Sequence, residues 1–488
     1  MPHRLPTVRR PKVSDDVLIA ILCRFDPASL YRTCKVFQRV YAIVRSIKAL
    51  WYKFELAVAG SQDGPLSYAI RSPSARLELL LSYRKNWPTL QWSFENKQQI
   101  PDSARAKVSG GFICHSGDQR IDIMELPSCR TGRPPAQTTH LRFQVAPNAR
   151  IECVAIDPAH VAGGRLGLRL GIRDMRTFTK HPKAVSLLYE FNTGLSEHVT
   201  DISAVVSGTK MVLSLKLVGG RAKHLLLEWR TLQATCFDEH DVHLLSDNYI
   251  LVARKSRSAP KLNLYNITNV AKVVCEREYE LPPVWANCAL SFGRNTSPTS
   301  ETSVSPNAIF YSDPSARVLI VTASPDGGSH GASAGNNWLF VNESYFRPPS
   351  RWDPRTHIPW SYWSQYSLIR NISASRHIGL PRIVGTRVLY TESEPSRSSR
   401  SGRRTRLHII DFAPYRDAAS GPISNAWSLI GQRSPLVPYE TYREVPSGTT
   451  DSLQVEDVYA TEDNIVLIME PNHGVKPINV LTFGAIRT

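Results

Sequence analysis

Apolar residues near the N-terminus follow a helical pattern. Residues 17–22 form an uninterrupted apolar run, preceded by Ser14 and two aspartates. A capping side chain followed by carboxylates suits the positive end of a helix dipole, so this pattern predicts a helix that starts near Asp15. Asp26-Pro27 predicts the start of a second helix that runs to about Cys34, because proline is well tolerated in the first helical turn.

A third helix is predicted at about residues 36–45, and Leu50-Trp51-Tyr52 then close the unit as an aromatic segment. The first of the three helices carries six consecutive apolar residues and is therefore hydrophobic on every side. A unit of about forty residues is too small to cover such a helix by itself. Two readings follow from the pattern alone: the helix is buried in a larger core of this chain, or a separate protein covers it.

The pattern changes after a connecting helix of about fourteen residues, which Ser72-Pro73 opens and Trp87-Pro88 stops. From about residue 90 onward, short β-branched or Leu-rich runs alternate with turn residues, which is typical of an all-β domain. Such runs occur at 211–217, 249–254, 317–322, 338–341, 387–391, 464–469 and 478–482.

One strand pattern recurs four times, at residues 120–126, 224–230, 261–267 and 406–412. The first and third copies start 141 residues apart (261 − 120), and the third and fourth 145 apart (406 − 261). Each interval corresponds to three blades of a β-propeller at about 47 or 48 residues per blade. The second copy precedes the third by 37 residues (261 − 224), which fits one blade. We therefore expect a propeller of six to eight blades. A pair of β-sandwiches is the alternative, because short strands with regular turns suit both architectures.

The N-terminal pattern resembles the F-box in order, spacing and residue class. The segments that carry the resemblance are residues 15–22, 25–30, 34–39 and Leu50-Trp51. The family's Leu-Pro opening falls on Val13-Ser14 here, so the usual proline is absent. The resemblance implies docking on a Skp-type adaptor, which connects through a cullin and a RING subunit to a ubiquitin-conjugating enzyme. The contact residues that it implies are Val17, Leu18, Ile21, Leu22, Pro27, Leu30, Val36 and Trp51.

The β-domain is more loosely similar to the large β-domains of F-box proteins in mushroom-forming fungi, through residues 182–184, 224–267 and 337–340. The resemblance implies a variable recognition domain and hence a non-catalytic substrate-recognition subunit of a Skp-cullin-F-box ubiquitin ligase. No cofactor or metal is expected. The predicted segments are a disordered N-terminus at 1–12, the F-box at 13–55, a linker with the connecting helix at 56–90 and the propeller-like domain at 91–488, including a mobile basic loop at 392–406.

The net charge of +17 leaves a nucleic-acid or chromatin-binding scaffold as the alternative function. The basic loop contains five arginines but no aromatic residue on which a base could stack. A third hypothesis, a hydrolase, rests on the polar cluster at residues 238–243, where His240 and His243 could hold a metal. Such residues also suit a polar turn between strands. No export signal is visible, and eight cysteines without a CxxC pair fit reduced thiols, so we expect a cytoplasmic or nuclear protein.

Overall fold

The computed structural model describes residues 13–65 and 72–484, the second range with gaps, of which the longest are 142–152, 191–198, 326–335, 348–355, 394–404, 414–426, 429–437 and 446–454. The predicted disordered segment at 1–12 and most of the predicted mobile loop at 392–406 lie outside the described residues.

The N-terminal part of the chain folds into five helices, and the first, second and fifth begin where the sequence predicts, whereas the third begins at Gln38 rather than at residue 36. The helices are α1 (Asp15–Leu22), α2 (Pro27–Val36), α3 (Gln38–Ser46), α4 (Lys48–Val58) and α5 (Pro73–Asn86). The Ser14 side chain accepts a hydrogen bond from the backbone N–H of Val17, and Asp26 caps α2 through Ser29. The predicted aromatic closure is a full helix, α4, which extends past the predicted F-box boundary at residue 55.

The rest of the described chain forms β-strands, grouped in seven sheets of four or more strands. We number these sheets as blades 1–7. Blade 1 contains β3 (Arg105–Ser109), β4 (Phe112–Ser116), β5 (Ile121–Glu125) and β6 (Thr138–Leu141); blade 2 contains β7 (Cys153–Asp157), β8 (His160–Arg165), β9 (Arg169–Arg173) and β10 (Leu188–Glu190); blade 3 contains β11 (Val199–Ser207), β12 (Lys210–Leu217), β13 (Ala222–Glu228) and β14 (Gln233–Phe237).

Blades 4 to 7 carry additional or non-sequential strands. Blade 4 contains β15 (Asp241–Ser246), β16 (Tyr249–Arg254), β17 (Lys261–Asn266), β18 (Val274–Glu280) and β24 (His357–Ile358); blade 5 contains β19 (Cys288–Phe292), β22 (Val318–Pro325), β23 (Asn336–Asn342), β25 (Ser367–Ile372) and β30 (Trp427–Ser428); blade 6 contains β20 (Arg294–Asn295), β26 (His377–Ile378), β27 (Arg382–Val384), β28 (Arg387–Ser393), β29 (Thr405–Asp411) and β31 (Tyr439–Glu444); blade 7 contains β2 (Phe94–Pro101), β32 (Val455–Ala460), β33 (Asn464–Met469) and β34 (Val475–Thr482).

These sheets follow one another in a closed ring, as the blades of a propeller do. Successive blades share apolar cores, which are described for the pairs 2–3, 3–4, 4–5, 5–6, 6–7 and 7–1, and β7 of blade 2 lies beside β3 of blade 1. The ring closes because β2, which precedes blade 1 in the chain, pairs with β34 of blade 7. The predicted propeller is thus confirmed, its seven sheets lie within the predicted range of six to eight blades, and the β-sandwich alternative is wrong.

The four recurring patterns occupy equivalent positions, since β5, β13, β17 and β29 are each the third main strand of a blade. The interval between the first and third copies spans three blade steps, as predicted. The second interval spans only two, from blade 4 to blade 6, so that the prediction of three was wrong. Blade 5 is longer than the period because it includes inserted segments, among them β21 (Phe310–Ser312) and the short helix α6 (Trp360–Trp363).

The helical part is packed onto the propeller rather than joined to it by a free linker. Leu56 of α4 and Leu80 of α5 belong to one buried cluster with Val384, Ile409 and Leu467 of blades 6 and 7. The short strand β1 (Ser61–Asp63) also pairs with β21, antiparallel. The position of α1 to α4 relative to the propeller is therefore fixed by a shared core and by a strand pair.

Candidate docking surface on the helical module

Helices α1 to α4 enclose a small core of their own, built from Leu22, Leu30, Tyr31, Cys34, Val40, Ile43, Val44, Leu50, Phe54 and Ala57. Two of the predicted contact residues, Leu22 and Leu30, lie in this core with 2% and 0% of their surface exposed. Their role in the structure is to hold the helices together. Burial in the core leaves them no surface with which to contact another protein.

Three other predicted contact residues are exposed apolar side chains. The exposed fraction is 50% for Val17, 45% for Ile21 and 72% for Val36. Leu18, Pro27 and Trp51 are half-buried. Sequence reasoning missed three further exposed apolar residues in this part of the chain, namely Val13, Phe37 and Tyr41. We call the exposed set, Val13, Val17, Ile21, Val36, Phe37 and Tyr41, the docking surface.

The junction between α2 and α3 explains why Phe37 is exposed next to Val36. The chain leaves α2 at Val36, and Phe37 adopts an extended conformation before α3 begins. The turn places both side chains outside the core. Two adjacent apolar residues at a helix boundary could have indicated this exposure. The predicted third helix began at residue 36, however, so Val36 and Phe37 were assigned to the helix rather than to the boundary.

Polar contacts hold the helices that carry the docking surface. Arg39 of α3 donates from Nη2 to the carbonyl oxygen of Val13 at 2.7 Å and from Nε to Oδ1 of Asp15 at 3.1 Å. At the other end of α1, Lys53 Nζ donates to the carbonyl oxygens of Cys23 at 2.9 Å and Phe25 at 2.6 Å. The lysine thereby satisfies the carbonyl of Cys23 at the C-terminal end of α1, where the last carbonyls have no partner within the helix. Both ends of α1 are therefore tied to α3 and α4.

The start of α2 is fixed by a carboxylate cap. Asp26 accepts from the backbone N–H of Ser29 at 2.9 Å and from its hydroxyl at 2.6 Å. These two hydrogen bonds lower the pKa of Asp26, because they favour its charged form. The predicted contact residue Pro27 occupies the first position of α2, where its missing N–H has no cost.

Trp51 lies between the core of the module and the core that the helices share with the propeller. Its ring stacks on Phe54 with centroids 4.8 Å apart and meets the edge of the Tyr41 ring at 6.0 Å. It packs against both the core of the module and the core shared with the propeller. Its half-buried side chain supports the docking surface through Tyr41.

The end of α5 is anchored to the propeller by polar groups as well as by apolar packing. The indole Nε1 of Trp87 donates to the carbonyl oxygen of Glu462 at 3.1 Å, and the Tyr83 hydroxyl donates to the same oxygen. Arg387 of blade 6 donates from Nη1 to the Tyr83 hydroxyl at 3.1 Å. Within the module, Arg84 of α5 forms an ion pair with Glu55 of α4. The helices that carry the docking surface are thus connected through α4 and α5 to the propeller.

Among the described residues of the polar cluster predicted at 238–243, the side chains contact separate partners. Asp238 lies 3.7 Å from Lys223, Glu239 lies 3.4 Å from Arg254, and Asp241 accepts from the backbone N–H of Phe292 at 2.8 Å. His243 Nε2 lies 2.8 Å from Oε1 of Glu343; His240 lies outside the described residues. Within the described part of the chain, no group of three or more His, Cys, Asp or Glu side chains could hold a metal ion.

The basic cluster behind the nucleic-acid alternative is described only at its end. Arg397, Arg400, Arg403 and Arg404 lie outside the described residues. The guanidinium of Arg406, on β29, lies 5.4 Å from the centroid of the Tyr442 ring. The prediction of a basic nucleic-acid arm stays a prediction. Among the described helices, none is long and apolar enough to cross a bilayer.

No protein-family model matches the chain, and no curated protein matches it. Among solved structures, the WD40 domain of SCAP from fission yeast is similar at 9% sequence identity, with a TM-score of 0.41 and coverage of 79% of this chain and 83% of that one. The WD40 domain of coronin from Toxoplasma gondii gives 11% identity and a TM-score of 0.38, with coverage of 80% and 86%. The β-propeller domain of the Trilobed protease from Pyrococcus furiosus gives 8% identity and a TM-score of 0.38, with coverage of 78% and 95%.

The class that the chain's own sheets define is a β-propeller that carries an N-terminal helical module. This statement rests on the closed ring of blades 1–7 and on the strand β2 that completes blade 7.

Proposed function

We propose that this protein is the substrate-recognition subunit of a Skp-cullin-F-box ubiquitin ligase, in which the helical module binds the Skp-type adaptor and the propeller binds the target protein. The observation that carries the proposal is the docking surface: six apolar side chains stay exposed on a module that is anchored in the propeller through α4 and α5. Val17 and Ile21 are four residues apart and so lie on one face of α1, and exposed apolar side chains that share a face fit an interaction site.

The proposed mechanism is proximity. A target bound to the propeller would be held near the conjugating enzyme, so that a bimolecular encounter becomes effectively intramolecular. This requires a fixed distance between the two binding sites. The core shared by α4, α5 and blades 6 and 7 supports the proposal, because it would transmit the position of the adaptor to the propeller. The proposal assigns no chemical step to any residue of this chain.

Co-expression with a Skp-type adaptor, followed by purification through a tag on the adaptor, tests the proposal. The informative variant is Ile21→Asp, since Ile21 is exposed and its replacement leaves the module core intact. Burying one such side chain contributes about 1.5–3 kcal/mol, so we expect its replacement by a charge to weaken adaptor binding at least about tenfold. Leu22→Asp would be uninformative, because a charge in the core would unfold the module.

The matched control is Val274→Asp, a similar replacement at an exposed valine on β18 of blade 4. We expect wild type and Val274→Asp to co-purify with the adaptor, and Ile21→Asp to be lost from the complex. The ligase function would be wrong if wild type failed to co-purify with any Skp-type adaptor of the same cell. Equal retention of Ile21→Asp and Val274→Asp would show that the docking surface is not the binding site.

A further inference from the structure

Cations accompany the docking surface on the helices that carry it. Residues 13–58 contain seven Lys and Arg residues and four Asp and Glu residues, which gives this segment a net charge of +3 (7 − 4). Four of the cations are exposed, namely Arg24, Arg32, Arg45 and Lys48. In the described part of the chain, none of these four forms an ion pair.

Two of the unpaired cations lie one helical turn from an exposed apolar residue. Arg32 precedes Val36 by four residues on α2, and Tyr41 precedes Arg45 by four residues on α3. Side chains four residues apart on a helix are neighbours on its surface. On both helices, a positive charge therefore borders the docking surface.

The end of α1 has the same arrangement. The backbone N–H of Arg24 donates to the carbonyl oxygen of Ile21 at 3.0 Å, so the chain continues to turn beyond α1. Residues three apart in such a turn lie side by side, which places Arg24 next to Ile21. The start of α1 also lies against α3, because Arg39 binds the carbonyl oxygen of Val13. Each of the three helices thus combines an exposed apolar side chain with an adjacent cation.

The carboxylates of the segment do not balance these cations. Three of the four have partners inside the protein: Asp15 pairs with Arg39, Asp26 accepts from Ser29, and Glu55 pairs with Arg84. Asp16 is exposed and has no ion pair with a described residue. The unpaired charges are therefore four positive and one negative, beside apolar side chains that are open to solvent.

We propose that the docking surface binds a protein surface whose apolar patch is bordered by carboxylates. The inference rests on the proposed function and deepens it, because it assigns this chemistry to the adaptor. Carboxylates at the border would pair with Arg24, Arg32 and Arg45, while the apolar patch covers the side chains next to them. Asp16 favours a folded protein over an anionic membrane, since a uniform layer of phosphates would repel its carboxylate, whereas a protein can place a cation there.

Salt distinguishes this kind of contact from a purely apolar one. Charges at the border of an interface act mainly on the rate of association and on its salt dependence. The distance over which exposed charges interact falls from about 10 Å at 0.1 M salt to about 3 Å at 1 M salt. Binding through an acidic border should therefore weaken as salt rises. Apolar burial is not weakened in this way, because it involves no charge.

Biolayer interferometry of the full-length protein with a purified Skp-type adaptor tests the proposal. Raising NaCl from about 0.1 M to about 1 M should weaken wild-type binding at least about fivefold. The charge variant combines Arg24→Gln, Arg32→Gln and Arg45→Gln, which keeps the apolar residues and the module core. At about 0.1 M NaCl it should bind at least about fivefold more weakly than wild type, and most of this difference should disappear at about 1 M.

The matched control removes three positive charges from the propeller. It combines Lys180→Gln, Lys183→Gln and Lys272→Gln, at exposed lysines of blades 2 and 4. These blades lie across the ring from blades 6 and 7, on which the helices pack. The control should bind like wild type at both salt concentrations. An equal loss in the control would attribute the effect to the net charge of the chain and would refute the acidic border.

The failure of this inference differs from the failure of the proposed function. If wild type does not bind the adaptor at either salt concentration, both are wrong. If wild type binds, Ile21→Asp does not, and the charge variant binds like wild type, the inference alone is wrong. Co-sedimentation of wild type with vesicles of phosphatidylcholine and phosphatidylserine, lost in the charge variant while adaptor binding is unchanged, would make an anionic membrane the partner of these cations and would refute the proposal.

Discussion

Asp463→Ala removes the central carboxylate of a buried ion pair network at the base of the helical module. Arg130 donates from Nε to Oδ1 of Asp463 at 3.2 Å and from Nη2 to Oδ2 at 3.0 Å. Its Nη2 also lies 2.7 Å from Oε2 of Glu462, and its Nη1 donates to the carbonyl oxygen of Phe310 at 2.7 Å. The network joins blade 1, blade 7 and β21. All of its charged groups are nearly or fully buried.

Truncating one partner of a buried pair typically costs 3–5 kcal/mol, because the other charge stays buried without compensation. Glu462 and the Phe310 carbonyl still contact Arg130 in the variant, so we expect the lower end, about 3 kcal/mol of the free energy of unfolding. The matched control is Asp15→Ala, which removes an exposed pair with Arg39. Exposed pairs contribute about 0.2–1 kcal/mol.

Urea unfolding followed by tryptophan fluorescence measures both variants. Trp87 reports directly on the affected region, since it donates to the carbonyl of Glu462, the residue before Asp463. The transition of Asp463→Ala should shift to clearly lower urea than that of Asp15→Ala. If both variants lost less than about 1 kcal/mol, the buried network would contribute no more than a surface pair, and the reasoning would be refuted.

Further predictions concern pH, a single hydrogen bond and the thiols. Although burial opposes ionisation, Arg317 and His243 lower the pKa of Glu343 from 4.5 to about 2. The contribution of Glu343 to stability is therefore present above pH 4.5 and is lost as the pH falls towards 2. Glu343→Gln should flatten the stability profile between these two pH values, measured by thermal unfolding. Trp87→Phe should cost at least about 0.5–1.5 kcal/mol in urea unfolding, the contribution of the lost bond to Glu462, because the smaller ring also loses packing at a fully buried position. Brief alkylation of the native protein, read by mass spectrometry, should label the exposed thiols Cys23 and Cys236 but not the buried thiols Cys34, Cys114 and Cys129, whose pKa burial also raises. Cys275 should be labelled more slowly than the other two exposed thiols, because desolvation raises its pKa as well.

Local signals in the sequence predicted α1, α2 and α5, each of which has a capping side chain at its start. Ser72-Pro73 and Trp87-Pro88 bound α5, which has the predicted fourteen residues. The missed helix α4 lacks a capping side chain at its start, since Ile47 makes no side-chain hydrogen bond there. Packing against α5 and the propeller holds α4 in place, and no residue inside it signals that contact.

The sequence predicted that the candidate site lies on α1 but not which face of α1 is exposed. A hydrophobic run shows that α1 needs a cover, yet it cannot show which side the rest of the module covers. The structure buries Leu22 and leaves Ile21 exposed, one residue apart. The predicted number of blades between the third and fourth pattern copies was also wrong, because blade 5 contains inserted segments. A repeat measured from one strand pattern cannot distinguish one long blade from two short ones.

Strand β2 gives the chain a particular order of maturation during synthesis. The ribosome releases the helices and β2 first, but β2 pairs with β34, and Trp87 and Tyr83 bond to Glu462, nearly 400 residues later. The segment from α5 to β2 is therefore made long before its partners in blade 7. A chain that stopped before β32 would leave β2 without its sheet and α5 without the part of blade 7 on which it packs.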